Sequence, residues 1–417
     1  MGKKVNKNKR SFILDYQKVM EHLEKANFAL QDLKIQKKKI FVKIPKRFSI
    51  SEQPDKTIYF FRQLYTIGMC DNVDEIIFDH SKCEFLGLSA STIMDIILLV
   101  VMERREGIKK QLILSGRLPN NQMVKDVLLA SGLPYHVNAK YDLKYDRNTV
   151  EKFETVSGEC GNDIRQSGTI ATQLTEYFNR CLLHQNMRLR EEGISLLATL
   201  LGEVLGNCEI HGGQCATWYT QGHYEDNFNK NYGELQLLFL NLGDTIYHGL
   251  KYNSSKETKK RLEFYLGKHN PVFSEKWNEE MACTVFALQE GISRLRDKNI
   301  EGYKGRGTGT VTLIETLNLI GRCNDGMMPE MTIISGKTYI KFDGQYSMST
   351  ETFSDDPAFG SGEKRIIAFN RENNIYKPAD HAVVWKLKEN FPGTVISLRI
   401  YLDNRYIMKA EGGGLNE

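Results

Sequence analysis

From residue 38 to residue 132 the chain alternates short β-rich runs with longer runs of helical period. KIFVKIP, DEIIFDHS and KKQLILSG read as strands, and TIYFFRQLYTIGM as a helix or a strand–helix piece. ASTIMDIILLVVMERREG and NQMVKDVLLASG read as helices closed by Gly107 and Gly132. Strands alternating with helices imply a small α/β sheet with helices packed against it.

The flanking sequence divides the chain further. Residues 1–35 combine a basic arm (Lys3, Lys4, Lys7, Lys9 and Arg10) with one amphipathic helix over 11–35, either a packing element or a dimer arm. The arm is a solvated terminus or an electrostatic tether. The α/β unit occupies 36–150, and 151–168 loses apolar periodicity and reads as a linker. A second domain, 169–405, opens with a long helical pair from about Ile170 to Ile210. The strands QCATWYTQG and GELQLLFLNLG follow, then a charged region and a glycine run with its helix. A hairpin-like MTIISGKTYIKFDG and a closing strand GTVISLRIYL end this domain, and 406–417 is a flexible tail. The expected fold class is α/β (α+β), with two domains in 417 residues.

Composition narrows the partners. Apolar residues make up 41% and charged residues 26%, and a net charge of +4 does not indicate nucleic acid. The longest apolar stretch, Ile93–Met102, is interrupted by Asp95 and falls short of the roughly 20 residues a membrane span needs. There is no signal-peptide core, and Asn6 stands where a myristoylation motif wants Ser or Thr. Eight cysteines without a CxxC pair argue against zinc and against a disulfide framework. A soluble cytoplasmic protein is expected.

Two motifs carry chemistry. In KGRGTGTVTLIE, residues 304–315, glycine takes every second place before an apolar helix begins. No hydrophobic strand precedes it, as a Rossmann turn requires, and no Gly-Lys-Ser/Thr ends it, as a Walker loop requires. What remains is a mobile loop with an N-cap, or backbone that approaches an anion at a helix N-terminus. In LLGEVLGNCEIHG, Glu203, Asn207 and His211 fall at i, i+4 and i+8 and line one helix face. A carboxylate and an amide one turn apart suit a water-activating base beside an oxygen ligand for Mg²⁺; the alternative is a solvated stripe.

Together these motifs resemble the GHKL (Bergerat-fold) ATPases: gyrase B, MutL, histidine kinases and anti-sigma-factor serine kinases. ExxxNxxxH at Glu203, Asn207 and His211 is similar to the N box, the final His being like the anti-sigma branch. The resemblance implies that Glu203 activates water and that Asn207 ligates Mg²⁺. LNLGDTI resembles the Asp-x-Gly-x-Gly segment, with Asn241 on the adenine-reading Asp, Gly243 on the first Gly and Thr245 on the second. FALQEGISRLRD and KGRGTGT resemble the ATP lid (about 251–304) and the second glycine box. Gly305, Gly307 and Gly309 would then contact phosphates together with Thr308, while Lys304 and Arg306 add charge-assisted contacts or stay solvated. PGTVISLRIYL resembles the strand that closes the pocket, with Thr394 near adenine. The family's fold is an α/β sandwich, a mixed sheet with helices on one face. The insertion 338–390 has no counterpart in a minimal domain.

The N-terminal unit is similar to the STAS domain of anti-sigma-factor antagonists. Ser89, in Gly87-Leu88-Ser89-Ala90, is nearest to that family's phosphoacceptor, and a small residue at a helix start also reads as an N-cap. His184 lacks the acidic residue and Pro that follow a histidine-kinase phosphoacceptor. The resemblances imply an ATP- and Mg²⁺-dependent switch that regulates a protein partner. Alternatives are a serine kinase acting on a STAS domain, or a nucleotide sensor that does not hydrolyse ATP.

Overall fold

The computed structural model describes residues 15–132, 134, 150–160, 164–184, 186–211, 213, 216–225, 234–293, 309–320, 327–401 and 407–410. The N-terminal half runs α1 (Tyr16–Lys25), β1 (Lys39–Lys43), β2 (Arg47–Phe48), α2 (Pro54–Met69), β3 (Glu75–Asp79), β4 (Phe85–Leu86), α3 (Leu88–Gly107), β5 (Ile113–Arg117) and α4 (Gln122–Ser131). Strands β1, β3 and β5 form a parallel sheet in that order, and β2 pairs with β4.

The helix expected over 11–35 is shorter. Asn27, at φ 50°, takes the left-handed conformation that stops α1. The N–H of Phe28 then returns to the carbonyl of Leu23 at 2.9 Å.

The second half runs β6 (Val150–Glu159), α5 (Ile164–Leu183), β7 (Met187–Leu189), α6 (Glu191–His211), β8 (Thr217–Glu225), β9 (Glu234–Leu242), α7 (Ile246–Asn253), α8 (Lys256–His269) and α9 (Glu279–Ala287). Then follow α10 (Gly309–Ile320), β10 (Glu330–Phe342), β11 (Ser349–Asp356), β12 (Gly360–Ile366), β13 (Val384–Ile400) and β14 (Ile407–Lys409). Five strands make the central sheet in the order β10-β13-β9-β8-β6.

Three features differ from expectation. The sheet is antiparallel at every pairing among the described strands rather than mixed. The stretch read as a linker, 151–168, holds most of β6 and the start of α5; the buried positions of β6 include Thr155 and Ser157, so no apolar alternation marks it. MTIISGKTYIKFDG is one strand with a bulge rather than a hairpin. Gly336 sits there at φ +60°, and an added Cβ would lie 2.3 Å from Glu280 Oε1.

Strand β9 is buried on both faces and shows how the layers stack. Leu237 and Phe239 join the core that includes α5, α6 and α10. Leu238, Leu240 and Leu242 join the core built from α2 and α3. The N-terminal half therefore covers the face of the large sheet opposite α5, α6 and α10. Every residue of α3 from Leu88 to Val101 is buried, as an apolar helix between two sheets requires.

The seam is also polar. The N–H of Leu88 donates to Gln236 Oε1 (3.2 Å), Ser89 bonds Ser397 (2.8 Å), and Tyr339 donates to the carbonyl of Ser51 (2.5 Å). Arg62 pairs with Glu389. The N-cap of α3 is Gly87 rather than Ser89, and Gln236 from β9 supplies the acceptor its first turn lacks. No helix among the described residues is long and apolar enough to cross a membrane.

Candidate functional site

One row of residues crosses the end of the large sheet. Ser335 on β10 stands opposite Thr394 on β13, Thr394 opposite Asn241 on β9, Asn241 opposite Trp218 on β8, and Trp218 opposite Gly158 on β6. Residues in one row share a face, and this face meets α6, because Asn241 Nδ2 donates to the carbonyl of Cys208 at 3.0 Å. Nδ2 also lies 3.4 Å from Cys160 Sγ, and the Cys160 thiol donates to the same carbonyl at 3.1 Å. Asn241 Oδ1 is buried and has no hydrogen-bond partner among the described residues.

Thr394 Oγ1 bonds Ser335 Oγ at 2.9 Å, and that serine accepts from the N–H of Ile246 at 2.8 Å. Thr245 caps α7 by accepting from the N–H of His248 at 3.1 Å, and the N–H of Gly243 donates to the carbonyl of Pro392. Gly393, at φ +140°, lets β13 close on β9, since a Cβ there would lie 2.0 Å from the carbonyl oxygen of Asn241. Asn241, Gly243, Thr245 and Thr394, separated by up to 153 positions in sequence, thus converge at one sheet end.

Glu203 and Asn207 are half-buried on α6, and Asn207 directly precedes the Cys208 whose carbonyl holds Asn241. The backbone of His211 closes α6; its side chain lies outside the described residues. Lys304, Gly305, Arg306, Gly307 and Thr308 also lie outside them, while Gly309 is the first residue of α10. Helix α10 packs against α6, so the glycine-led helix and the Glu203–Asn207 helix are neighbours.

Three further residues contribute to this sheet end. Cys160 and Ser335 carry no motif signal. Asp244, inside LNLGDTI, was legible as an acidic residue next to Gly243. Its Oδ1 lies 3.1 Å from His248 Nδ1, and its Oδ2 accepts from Asn253 at 2.8 Å. Gly213, just past α6, leaves room for this carboxylate, as a Cβ there would lie 2.7 Å from Oδ2.

The described part of the 251–304 segment, through Ser293, is helical and packed on the 338–390 insertion. His269 Nδ1 accepts from Trp277 Nε1 at 3.1 Å, so Nε2 carries the proton and donates to the carbonyl of Ile375 at 3.0 Å. Gln289 exchanges bonds with the backbone of Ile367 (3.0 and 2.8 Å). Arg365 joins Glu290 (3.1 Å) to Glu315 on α10 (2.6 Å). The insertion thereby ties α8 and the residues just after α9 to α10, the helix that follows the glycines.

No group of three His, Cys, Asp or Glu side chains among the described residues could hold a metal ion. No family model, curated protein or solved structure matches the chain.

Proposed function

We propose that the chain is a Mg²⁺-dependent ATP-binding protein of the GHKL type with a STAS-like N-terminal unit, and that it works as a nucleotide-driven switch on a protein partner. The observation that carries this reading is the buried, unpartnered Oδ1 of Asn241 at the foot of α6, the helix that bears Glu203 and Asn207. An orphaned buried acceptor costs about 1–3 kcal/mol, and a base amino group is the kind of donor that would relieve it.

The residues fit the group. Asn241 and Thr394 would hold the base, and Gly309, at the N-terminus of α10, the phosphate side, with the 304–308 run leading into it. The donor set fits Mg²⁺ of a kind that keeps water and phosphate ligands and takes one amide oxygen, from Asn207, because no carboxylate cage is at hand among the described residues. Bound Mg²⁺ would neutralise phosphate charge. Glu203, four residues before Asn207, would orient and deprotonate the attacking water. Among the described residues no disulfide joins Cys70, Cys83, Cys181, Cys208 or Cys283, which supports a reducing compartment, the cytoplasm.

Phosphorylation of its own Ser89 finds less support, because that hydroxyl is buried against Ser397. A hydrogen-exchange experiment with Mg²⁺ and ADP tests the site. Slowed exchange at the end of α6 and the start of α10 supports it, and unchanged exchange at both counts against it.

A further inference from the structure

Strands β1, β3 and β5 lie side by side in chain order and all parallel, with α2 between the first two and α3 between the last two. Right-handed crossovers that always step in the same direction put both helices on one face of a sheet. Val42, Ile76 and Phe78 are buried on that face, with Ile40 and Leu114 packed beside them. The alternate residues point the other way. There Phe41 is 70% exposed and Ile113 49%, and Ile77 between their strands is half-buried. A parallel sheet ordinarily has both faces covered, and among the described residues nothing covers this one.

The charges on this face restrict what can cover it. Two rows cross the strands, Lys39–Glu75–Ile113 and Lys43–Asp79–Arg117. The first is neutral, because Lys39 binds Glu75 at 2.9 Å, whereas the second has two cations for one carboxylate. A second copy does not fit. Sheets packed face to face about a two-fold axis along the strands would oppose Glu75 to Glu75, and an axis across them would oppose Lys39 to Lys43. An orthogonal crossing opposes Lys39 to itself or to Arg117. An anionic bilayer would meet Glu75 and Asp79 in the central strand. Three strands span about 10 Å, the diameter of one helix. We infer that this face docks an amphipathic helix of a partner protein, with its apolar stripe on Phe41, Ile77 and Ile113 and its carboxylates beside Lys43 and Arg117. The surface lies on the small sheet and requires no nucleotide.

Two designed peptides of about 18 residues test this by fluorescence anisotropy against the full chain without nucleotide. Both carry Leu at helical spacing, flanked by Glu in one peptide and by Lys in the other. We expect the Glu peptide to bind at least about 10-fold more tightly than the Lys peptide. Phe41→Asp, at an exposed position, leaves the Tm unchanged and weakens the Glu peptide about 10-fold or more. Lys43→Glu combined with Arg117→Glu inverts the preference between the peptides. No binding of either peptide, equal binding of both, or wild-type binding by Phe41→Asp overturns the proposal. Two further results would also overturn it, each defined by its loss in Phe41→Asp. A dimer in sedimentation would assign the face to a second copy, and adsorption to phosphatidylserine vesicles would assign it to a membrane.

Discussion

The hydroxyl of Ser89, in the first turn of α3, lies 2.8 Å from the hydroxyl of Ser397 on β13, and the bond joins the two halves of the chain. Ser89 is 4% exposed, so the position nearest to a STAS phosphoacceptor is sealed between a helix and a sheet.

A charge at position 89 should therefore separate the layers. Ser89→Asp buries an unpaired carboxylate, and we expect a loss of at least about 3 kcal/mol in thermal unfolding. Ser89→Ala should cost only about 1 kcal/mol, the value of one hydrogen bond. A wild-type Tm for Ser89→Asp would show that the seam opens freely.

Gly393→Ala should be among the most damaging single substitutions at the site. Its Cβ would lie 2.0 Å from the Asn241 carbonyl oxygen, and the residue sits at φ +140°. Strain and collision together should cost about 3 kcal/mol or more. A near-native denaturation midpoint would mean that β9 and β13 do not close as described.

Stability should fall in mild acid. Burial pushes the His80 imidazole down to about 4 and lowers that of His269. A lowered folded-state pKa means that below about 6.5 the unfolded chain takes up protons that the folded chain refuses. The stabilisation is complete above that value and is lost as the pH falls toward 4, with His80 contributing on the order of 3 kcal/mol. A proton on His269 Nδ1 would also point at the Trp277 N–H that now donates to it. His80→Leu should flatten the profile of Tm against pH between these limits. An equally steep profile in that variant would place the titration elsewhere.

Metal use should depend on Asn207. With one amide ligand lost, the Mg²⁺ concentration for half-maximal nucleotide binding should rise about 10-fold or more. An unchanged Mg²⁺ requirement in Asn207→Ala would remove that residue from the metal site.

Much of the fold was legible because its pattern is local. The apolar run of α3 and the β-branched residues of β1 and β3 announce themselves over a few residues. The polar face of α6 was legible from Glu203 and Asn207 alone, since four-residue spacing is a property of one helix. What stayed hidden depends on contacts far apart in sequence. Strand β6 buries Thr155 and Ser157 and so resembles a linker, and Gly336 looks like a hairpin turn until Glu280 is placed beside it. Cys160 acquires meaning only when Asn241, 81 positions away, is brought to its sulfur.

The central claim meets its most direct test in Glu203→Ala, with ATP binding and phosphate release measured on the same preparation. We predict that the wild type binds Mg²⁺–ATP and releases phosphate, and that the variant keeps its affinity while release falls about 10²-fold or more. Phosphate release at the wild-type rate by Glu203→Ala would contradict the assignment of α6 as the catalytic helix, as would a wild type that binds no ATP.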